Sequence, residues 1–186
     1  MKRYRSQLNS HSSVLPQDFI IRTSTKEMTF LGGLLALKAG VDGIAISKND
    51  KWIYYGAMAH DQAFRIETEH LKNTSLTRSE LAEKVESIGK KPLNDGLSMD
   101  VAGNLYLTDV EHGSIIRMKR DGQLETVIQS DKIRWADALS FGPDNWVYIA
   151  DSAIPDQMLR SKGHMNEQVP YHIFRYRNDV PGVAGQ

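Results

Sequence analysis

A sequence unit that occurs three times constrains the fold of this chain more than any other feature. Each unit begins with an Asp, at Asp42, Asp95 and Asp137, followed by a short strand of alternating apolar residues. A polar turn and a second strand rich in β-branched and aromatic residues complete the hairpin. The turn residues tolerate the backbone angles of tight hairpins, and the second strand has the composition of a strand covered on both faces. The pattern predicts three similar antiparallel sheets.

Further strands complete each unit. An apolar-Arg-apolar triplet marks a third strand at residues 64–66, 116–118 and 174–176. Asp121-Gly122 is a strong hairpin signal and indicates a fourth strand in the second unit. Four short strands per unit at this spacing are typical of propeller blades. The sequence therefore predicts an all-β fold in which residues 41–177 form about three blades of a β-propeller.

The longer connection between the first two units predicts one inserted helix over residues 77–89. Thr77 and Glu80 have the spacing of a capping box at its start. Gly89 and Pro92 are typical of a helix end. Residues 1–40 show no clear repeat and are interpreted as the remnant of a preceding blade. The polar residues 178–186 are predicted to form a disordered tail.

About three blades do not close a ring, because propellers typically contain four to eight. An isolated half ring would expose unpaired strand edges. Either the chain is a truncated portion of a longer protein, which is the interpretation we favour, or two chains combine to close the ring. We expect the isolated chain to self-associate through its exposed blade edges.

Composition excludes some classes of partner. The formal net charge is zero, so there is no basic face to favour nucleic acid. The most apolar stretch, residues 31–37, is far shorter than the roughly 20 residues that span a bilayer, so we expect no membrane segment. Cysteine is absent, which rules out a disulfide framework. The basic first residues are followed by a polar stretch, which is not the pattern of a signal peptide.

Several motifs occur in an order that resembles the yellow/major royal jelly protein family, and most strongly its bacterial members. They are residues 40–47, 52–55, 94–97, 106–112, 135–144 and 170–175. The resemblance covers residues 8–177. It implies a six-bladed propeller of which this chain supplies the C-terminal half. It also suggests an extracellular or periplasmic protein, although the compartment stays open because this chain carries no signal peptide.

The family resemblance implies a small-molecule ligand more clearly than a reaction. Some insect members are linked to dopachrome conversion, some salivary members bind biogenic amines in the central channel, and most bacterial members have no assigned activity. The resemblance therefore implies a propeller that binds a small molecule in its central channel, with a dopachrome-tautomerase-related activity as one expectation. Whether the chain is an enzyme stays open.

The candidate site consists of the three repeat aspartates and Trp135. Asp42, Asp95 and Asp137 precede or start the innermost strands, so repeat geometry should gather them at one mouth of the channel. There they could bind a ligand amine or a hard cation such as Ca²⁺. They could instead bond nearby backbone amides and fix the entry to each strand. Both interpretations stand for Asp42 and Asp95, and the structural one is favoured for Asp137. Trp135 could line the same channel.

A second propeller family, the gluconolactonase/regucalcin group, is more distantly similar. Its divalent cation is held by an Asn at the position of Asp42, by an Asp at the position of Asp95, and by a Glu near the N-terminus. Here Asp42 replaces the Asn, and no segment matches the Glu-bearing blade. Asp42 and Asp95 are therefore the candidate metal ligands. A metal-dependent lactonase stays an alternative function, as does a non-functional truncated fragment.

Overall fold

The computed structural model describes residues 19–184, which form mainly short antiparallel strands. Near the start of this range lies a two-stranded hairpin, β1 (Thr29–Phe30) and β2 (Leu35–Ala36). The backbone N–H of Arg22 donates to the Glu111 carboxylate at 2.7 Å, and the Lys26 ammonium donates to the Pro155 carbonyl. The described part of residues 1–40 therefore lies across the loops of later sheets. Its predicted origin in a preceding blade stays a prediction, and residues 1–18 lie outside the described residues.

The first blade is a four-stranded antiparallel sheet with its strands in sequence order. Its strands are β3 (Val41–Ile46), β4 (Trp52–Ala57), β5 (Gln62–Glu67) and β6 (Glu86–Lys90). The helices α1 (Thr68–Lys72) and α2 (Arg78–Ala82) connect β5 to β6.

The predicted capping box of the inserted helix is present, because Thr77 and Glu80 each accept a hydrogen bond from the other's backbone N–H. The predicted helix over 77–89 is nevertheless too long. It ends at Ala82, and the following segment forms β6 and pairs with β5. Pairing with an existing sheet edge satisfies the backbone groups of this segment. The helical spacing of the apolar residues at 81, 85 and 88 could not reveal that the edge of β5 would be available for pairing.

The second blade is four-stranded and the third blade three-stranded, both antiparallel and in sequence order. The second consists of β7 (Leu97–Met99), β8 (Leu105–Asp109), β9 (Ser114–Met118) and β10 (Leu124–Gln129). The third consists of β11 (Ala136–Phe141), β12 (Trp146–Asp151) and β13 (Ile173–Arg177). A 3-10 turn (Pro143–Asn145) joins β11 to β12, and α3 (Ile154–Gln157) and α4 (Lys162–Glu167) lie between β12 and β13.

The core lies between the blades. One apolar cluster joins the first and second blades and includes Ala45, Leu97 and Leu107. Another joins the second and third blades. The innermost strands approach closely where two glycines allow it: a Cβ on Gly43 would lie 2.5 Å from the Leu97 Cβ, and one on Gly96 would lie 2.7 Å from the Asp137 carbonyl oxygen. This architecture confirms the predicted all-β, propeller-type fold.

The C-terminal tail is ordered as far as residue 184, so the predicted disorder of residues 178–186 is wrong for the described part. The Asn178 side chain donates to the Tyr106 hydroxyl at 2.8 Å. The Val101 N–H donates to the Pro181 carbonyl and the Val183 N–H to the Met99 carbonyl, each at 2.9 Å. The tail therefore pairs along the end of β7, whose free edge offers backbone groups that need partners. Val183 is buried in the first inter-blade cluster and anchors it there.

The outward faces of the first and third blades are not covered by described residues. Ile44 on the first blade is 60% exposed, and Ile173 on the third blade is 77% exposed. Self-association through these faces stays a prediction. Among residues 19–184, no helix combines the length and the apolar character needed to cross a membrane.

Candidate functional site

The three repeat aspartates lie at the same end of successive innermost strands, here called the aspartate end. Asp42 is the second residue of β3 and Asp137 the second of β11, while Asp95 lies two residues before β7. Asp42 is exposed, Asp137 is half-buried and Asp95 is buried. Both Asp137 and Asp42 lie close enough for their charges to act on Asp95. The structure therefore brings the three predicted residues together around one buried carboxyl.

Asp95 has the most perturbed environment of the three. Burial raises the pKa of its carboxyl to about 8, and a hydrogen bond to Asp137 and the charges of Asp137 and Asp42 add to the rise. The Trp135 indole N–H donates to Asp95 Oδ2 at 2.7 Å and opposes it. With this pKa, Asp95 is mostly protonated at neutral pH and can donate its proton to the Asp137 carboxylate.

Trp135 reaches the site only through Asp95. Its side chain is fully buried in an apolar cluster that includes Met28 and Leu93. Its own backbone N–H donates to Asp151 Oδ1 at 2.7 Å. Trp135 is therefore not exposed at the surface of the aspartate end. It holds one Asp95 oxygen in a fixed position, and Asp151 in turn holds the Trp135 backbone.

The turn that carries Asp95 is fixed by two residues that the sequence analysis did not assign to the site. The Thr108 hydroxyl accepts the backbone N–H groups of Asp95 at 3.1 Å and Gly96 at 2.9 Å. Asn94 is fully buried, and its amide donates to the Gly96 carbonyl at 3.0 Å. Its Oδ1 has no hydrogen-bond partner among the described residues. In the sequence, only the position of Asn94 directly before the repeat Asp could have indicated that it belongs to the site.

Lys91 is a buried cation near this turn, and the sequence analysis did not single it out. Its ammonium donates to the carbonyl oxygens of Ala57, His60 and Pro92 at 2.9, 2.6 and 3.1 Å. Burial lowers its pKa to about 7, against the opposing charge of Asp61. Because all three ammonium hydrogens are used by backbone carbonyls, Lys91 clamps the β4–β5 loop to the segment before β7 and is not a free nucleophile.

A family model described as major royal jelly protein matches residues 4–141. The chain belongs to the major royal jelly protein family. No curated protein sequence matches it significantly.

Solved structures similar to this family member are propellers of related architecture. A luciferin-regenerating enzyme is 18% identical with a TM-score of 0.57, and the match covers 89% of this chain and 62% of that one. A protein described as the calcium-binding protein regucalcin, from Agrobacterium tumefaciens, is 16% identical with a TM-score of 0.53, and the match covers 77% and 46%. A putative gluconolactonase is 9% identical with a TM-score of 0.50, and the match covers 78% and 48%. This chain therefore spans about half to three-fifths of their lengths. The likeness shows the fold.

The donor set of this family member does not by itself fit a resident calcium ion. Calcium takes six to eight oxygen ligands. Within residues 19–184, no group of three or more acidic or imidazole side chains is arranged to hold a metal. Asp95 also has one oxygen bound to the Trp135 indole, which leaves fewer oxygens for a metal ion. A calcium ion here would need further oxygen ligands, whereas an ammonium group, with only three donors, can be held by few acceptors.

Proposed function

We propose that this major royal jelly family member binds a small organic amine at the aspartate end of its central channel. The observation that carries the proposal is Asp95, a buried carboxyl whose pKa is raised to about 8 beside Asp137 and Asp42. A buried acid with a strongly perturbed pKa among like charges is a candidate functional group. Burial and then the neighbouring carboxylates keep Asp95 protonated, and an ammonium group would favour its ionised form.

The amine would exchange with a proton. Before binding, Asp95 is mostly protonated at neutral pH, because burial, the hydrogen bond to Asp137 and the nearby charges raise its pKa to about 8. A bound ammonium favours the ionised form of Asp95, which then releases its proton to solvent. Trp135 occupies Asp95 Oδ2, so the other oxygen and Asp137 are the groups available to the amine. Amine affinity should therefore rise with pH up to about pH 8.

Calorimetric titration with tyramine tests this function. At pH 7, repeating the titration in buffers with different ionisation enthalpies measures the protons released on binding. We expect a fractional proton to leave per tyramine bound, and no detectable binding of 4-ethylphenol, which lacks the ammonium group. The Asp95→Asn variant should abolish proton release and weaken binding about tenfold, the loss expected for one charged hydrogen bond.

The matched control is Asp144→Asn, which removes the same charge at an exposed position in the turn after β11, at the opposite end of that strand from Asp137. It should leave tyramine binding unchanged. Equal affinity for tyramine and 4-ethylphenol would contradict the proposal, and so would undiminished proton release in Asp95→Asn. The narrower hypothesis of dopachrome conversion is tested with the same two variants by following the loss of dopachrome absorbance.

A metal-dependent lactonase is the second candidate. It is supported by the structural likeness to a protein described as calcium-binding regucalcin and to a putative gluconolactonase. The described residues supply no complete metal site, which is why amine binding is preferred. Calcium added during the tyramine titration separates the two: competition lost in Asp42→Asn and Asp95→Asn, together with calcium-dependent lactone hydrolysis, would favour the lactonase.

A further inference from the structure

We propose a second ligand site, for a small organic anion with a flat apolar body, in a cleft between the first and second blades. The cleft lies at the opposite end of the blades from Asp42 and Asp95, because it is lined by the turns that follow β3 and β7 (residues 47–49 and 100–103). Its volume is about 560 Å³. That volume is within the usual range of small-molecule sites, roughly 300–1,000 Å³.

The floor of the cleft is apolar and one wall is aromatic. Met99, Leu105 and Met118 lie beneath the cleft and are almost fully buried, and the half-buried Ile88 and Val101 supply apolar surface that a ligand can reach. Trp52 and Tyr54 line it from the first blade, and both are half-buried. An aromatic wall favours a flat ring through stacking. An apolar body of a ligand would therefore be accommodated here.

The rim of the cleft is positively charged. Its cationic residues are Lys48, Arg65, Lys119 and Arg120. Two of them already have acidic partners: Arg65 pairs with Glu86 at 2.7 Å and lies 4.2 Å over the Trp52 ring, and Lys119 lies 3.5 Å from Glu125.

Lys48 and Arg120 form no ion pair with the part of the chain that the structure describes, and both are exposed. Of the described lining residues, the one acid is Asp100, which is fully buried. Its oxygens accept hydrogen bonds from Asn104 and from the Tyr106 hydroxyl. Two cations on opposite blades are therefore available to an anion above an apolar floor.

This combination defines the ligand class. An inorganic anion would use only the rim, and a neutral aromatic molecule only the floor and the wall. A carboxylate attached to an aromatic ring would use both. The sign of the charge is opposite to that at the aspartate end, so this site does not depend on the proposed amine binding.

Calorimetric titration of the 186-residue chain with 2-naphthoate tests the proposal. The neutral isostere 2-naphthamide and inorganic phosphate serve as the two partial ligands. We expect 2-naphthoate to bind at least about tenfold more tightly than either, since a charge-assisted hydrogen bond contributes on that scale. Raising the salt concentration from about 0.05 M to about 0.5 M should weaken 2-naphthoate binding, because exposed charges are screened.

The decisive variant carries Lys48→Gln and Arg120→Gln. Both side chains are exposed, so the fold should be retained. The matched control carries Lys132→Gln and Arg160→Gln, which remove the same charge from exposed positions outside the cleft. We expect about tenfold weaker 2-naphthoate binding in the first variant and no change in the second, with tyramine binding intact in both. Equal binding of 2-naphthoate and 2-naphthamide would overturn the proposal, as would equal effects of the two variants or phosphate binding as tight as 2-naphthoate.

Discussion

The second and third blades have the same strand pattern but very different surroundings. Strand β8 of the second blade is buried along its whole length, whereas the equivalent β12 of the third blade has exposed and half-buried positions. Tyr106 in β8 is fully buried, and its counterpart Tyr148 is half-buried. The second blade lies between two sheets, while one face of the third is not covered by described residues. The comparison shows that the repeat specifies strands and turns, and that the neighbouring blade decides which side chains contribute to stability.

The largest difference should appear at equivalent isoleucines of β9 and β13. Ile115 is fully buried between the second and third blades, and Ile173 is 77% exposed. Ile115→Ala should lower the free energy of unfolding by about 3 kcal/mol, through lost burial and the cavity left behind. Ile173→Ala should change it by less than about 0.5 kcal/mol. Urea denaturation measures both, and similar losses would mean that the outer face of the third blade is covered in solution.

A smaller but still marked difference is expected at the residue after the repeat Asp. Gly96→Ala would place a Cβ 2.7 Å from the Asp137 carbonyl oxygen and 3.0 Å from the Ala138 Cα, both backbone atoms. The blades would have to separate, and we expect a loss of about 2 kcal/mol in the free energy of unfolding. The equivalent Ala138 is exposed, so Ala138→Val should have almost no effect. A stable Gly96→Ala variant with an unchanged denaturation midpoint would show that the junction is looser than the structure describes.

The third prediction concerns pH. Asp95 belongs to the second blade, and its pKa is raised to about 8 in the folded chain. An unfolded Asp ionises near pH 4, so between about pH 4 and pH 8 the folded state binds one more proton than the unfolded state. Stability should therefore fall by about 1 kcal/mol per pH unit up to about pH 7, above which the lowered pKa of Lys91 acts in the opposite direction. The dependence should be absent in Asp95→Asn.

The control for the pH prediction is the equivalent residue of the third blade. Asp137→Asn removes a neighbouring negative charge and a hydrogen-bond partner that raise the pKa of Asp95. The fall in stability with pH should therefore end at a lower pH in that variant. Urea denaturation at several pH values measures the slope, and an identical slope in wild type and Asp95→Asn would rule out Asp95 as its source.

The smallest effect is expected at the equivalent tyrosines of β8 and β12, Tyr106 and Tyr148. The Tyr106 hydroxyl donates to Asp100 Oδ2 at 3.0 Å and accepts from Asn178 at 2.8 Å. Tyr106→Phe should lower the free energy of unfolding by about 1 kcal/mol and speed amide exchange at Val183, because the tail loses one anchor. Tyr148→Phe should change neither. Unaltered exchange at Val183 in Tyr106→Phe would show that the backbone pairing with β7 holds the tail alone.

Much of the aspartate end was predictable, because a repeat places equivalent residues at equivalent positions. The sequence predicted that Asp42, Asp95 and Asp137 would converge, and they do lie close enough to interact. It did not reveal that Trp135 and Asp95, 40 positions apart, share a hydrogen bond. It also could not reveal which of three similar aspartates is buried, since burial depends on loops from other parts of the chain.

By itself, the sequence determined the hairpins of the three repeat units and the capping box at Thr77, because alternation of apolar residues, turn chemistry and capping are local properties of the chain. The family followed from the order of several motifs. The tertiary structure decided the features that depend on distant neighbours. The inserted helix ends at Ala82 because the following segment pairs with the edge of β5. The C-terminal tail packs against the second blade because Val183 is buried in the cluster between the first two blades. The tertiary structure also raised the pKa of Asp95 and assembled a cationic cleft from turns of two blades. Desolvation and charge proximity arise only when segments far apart in sequence pack together.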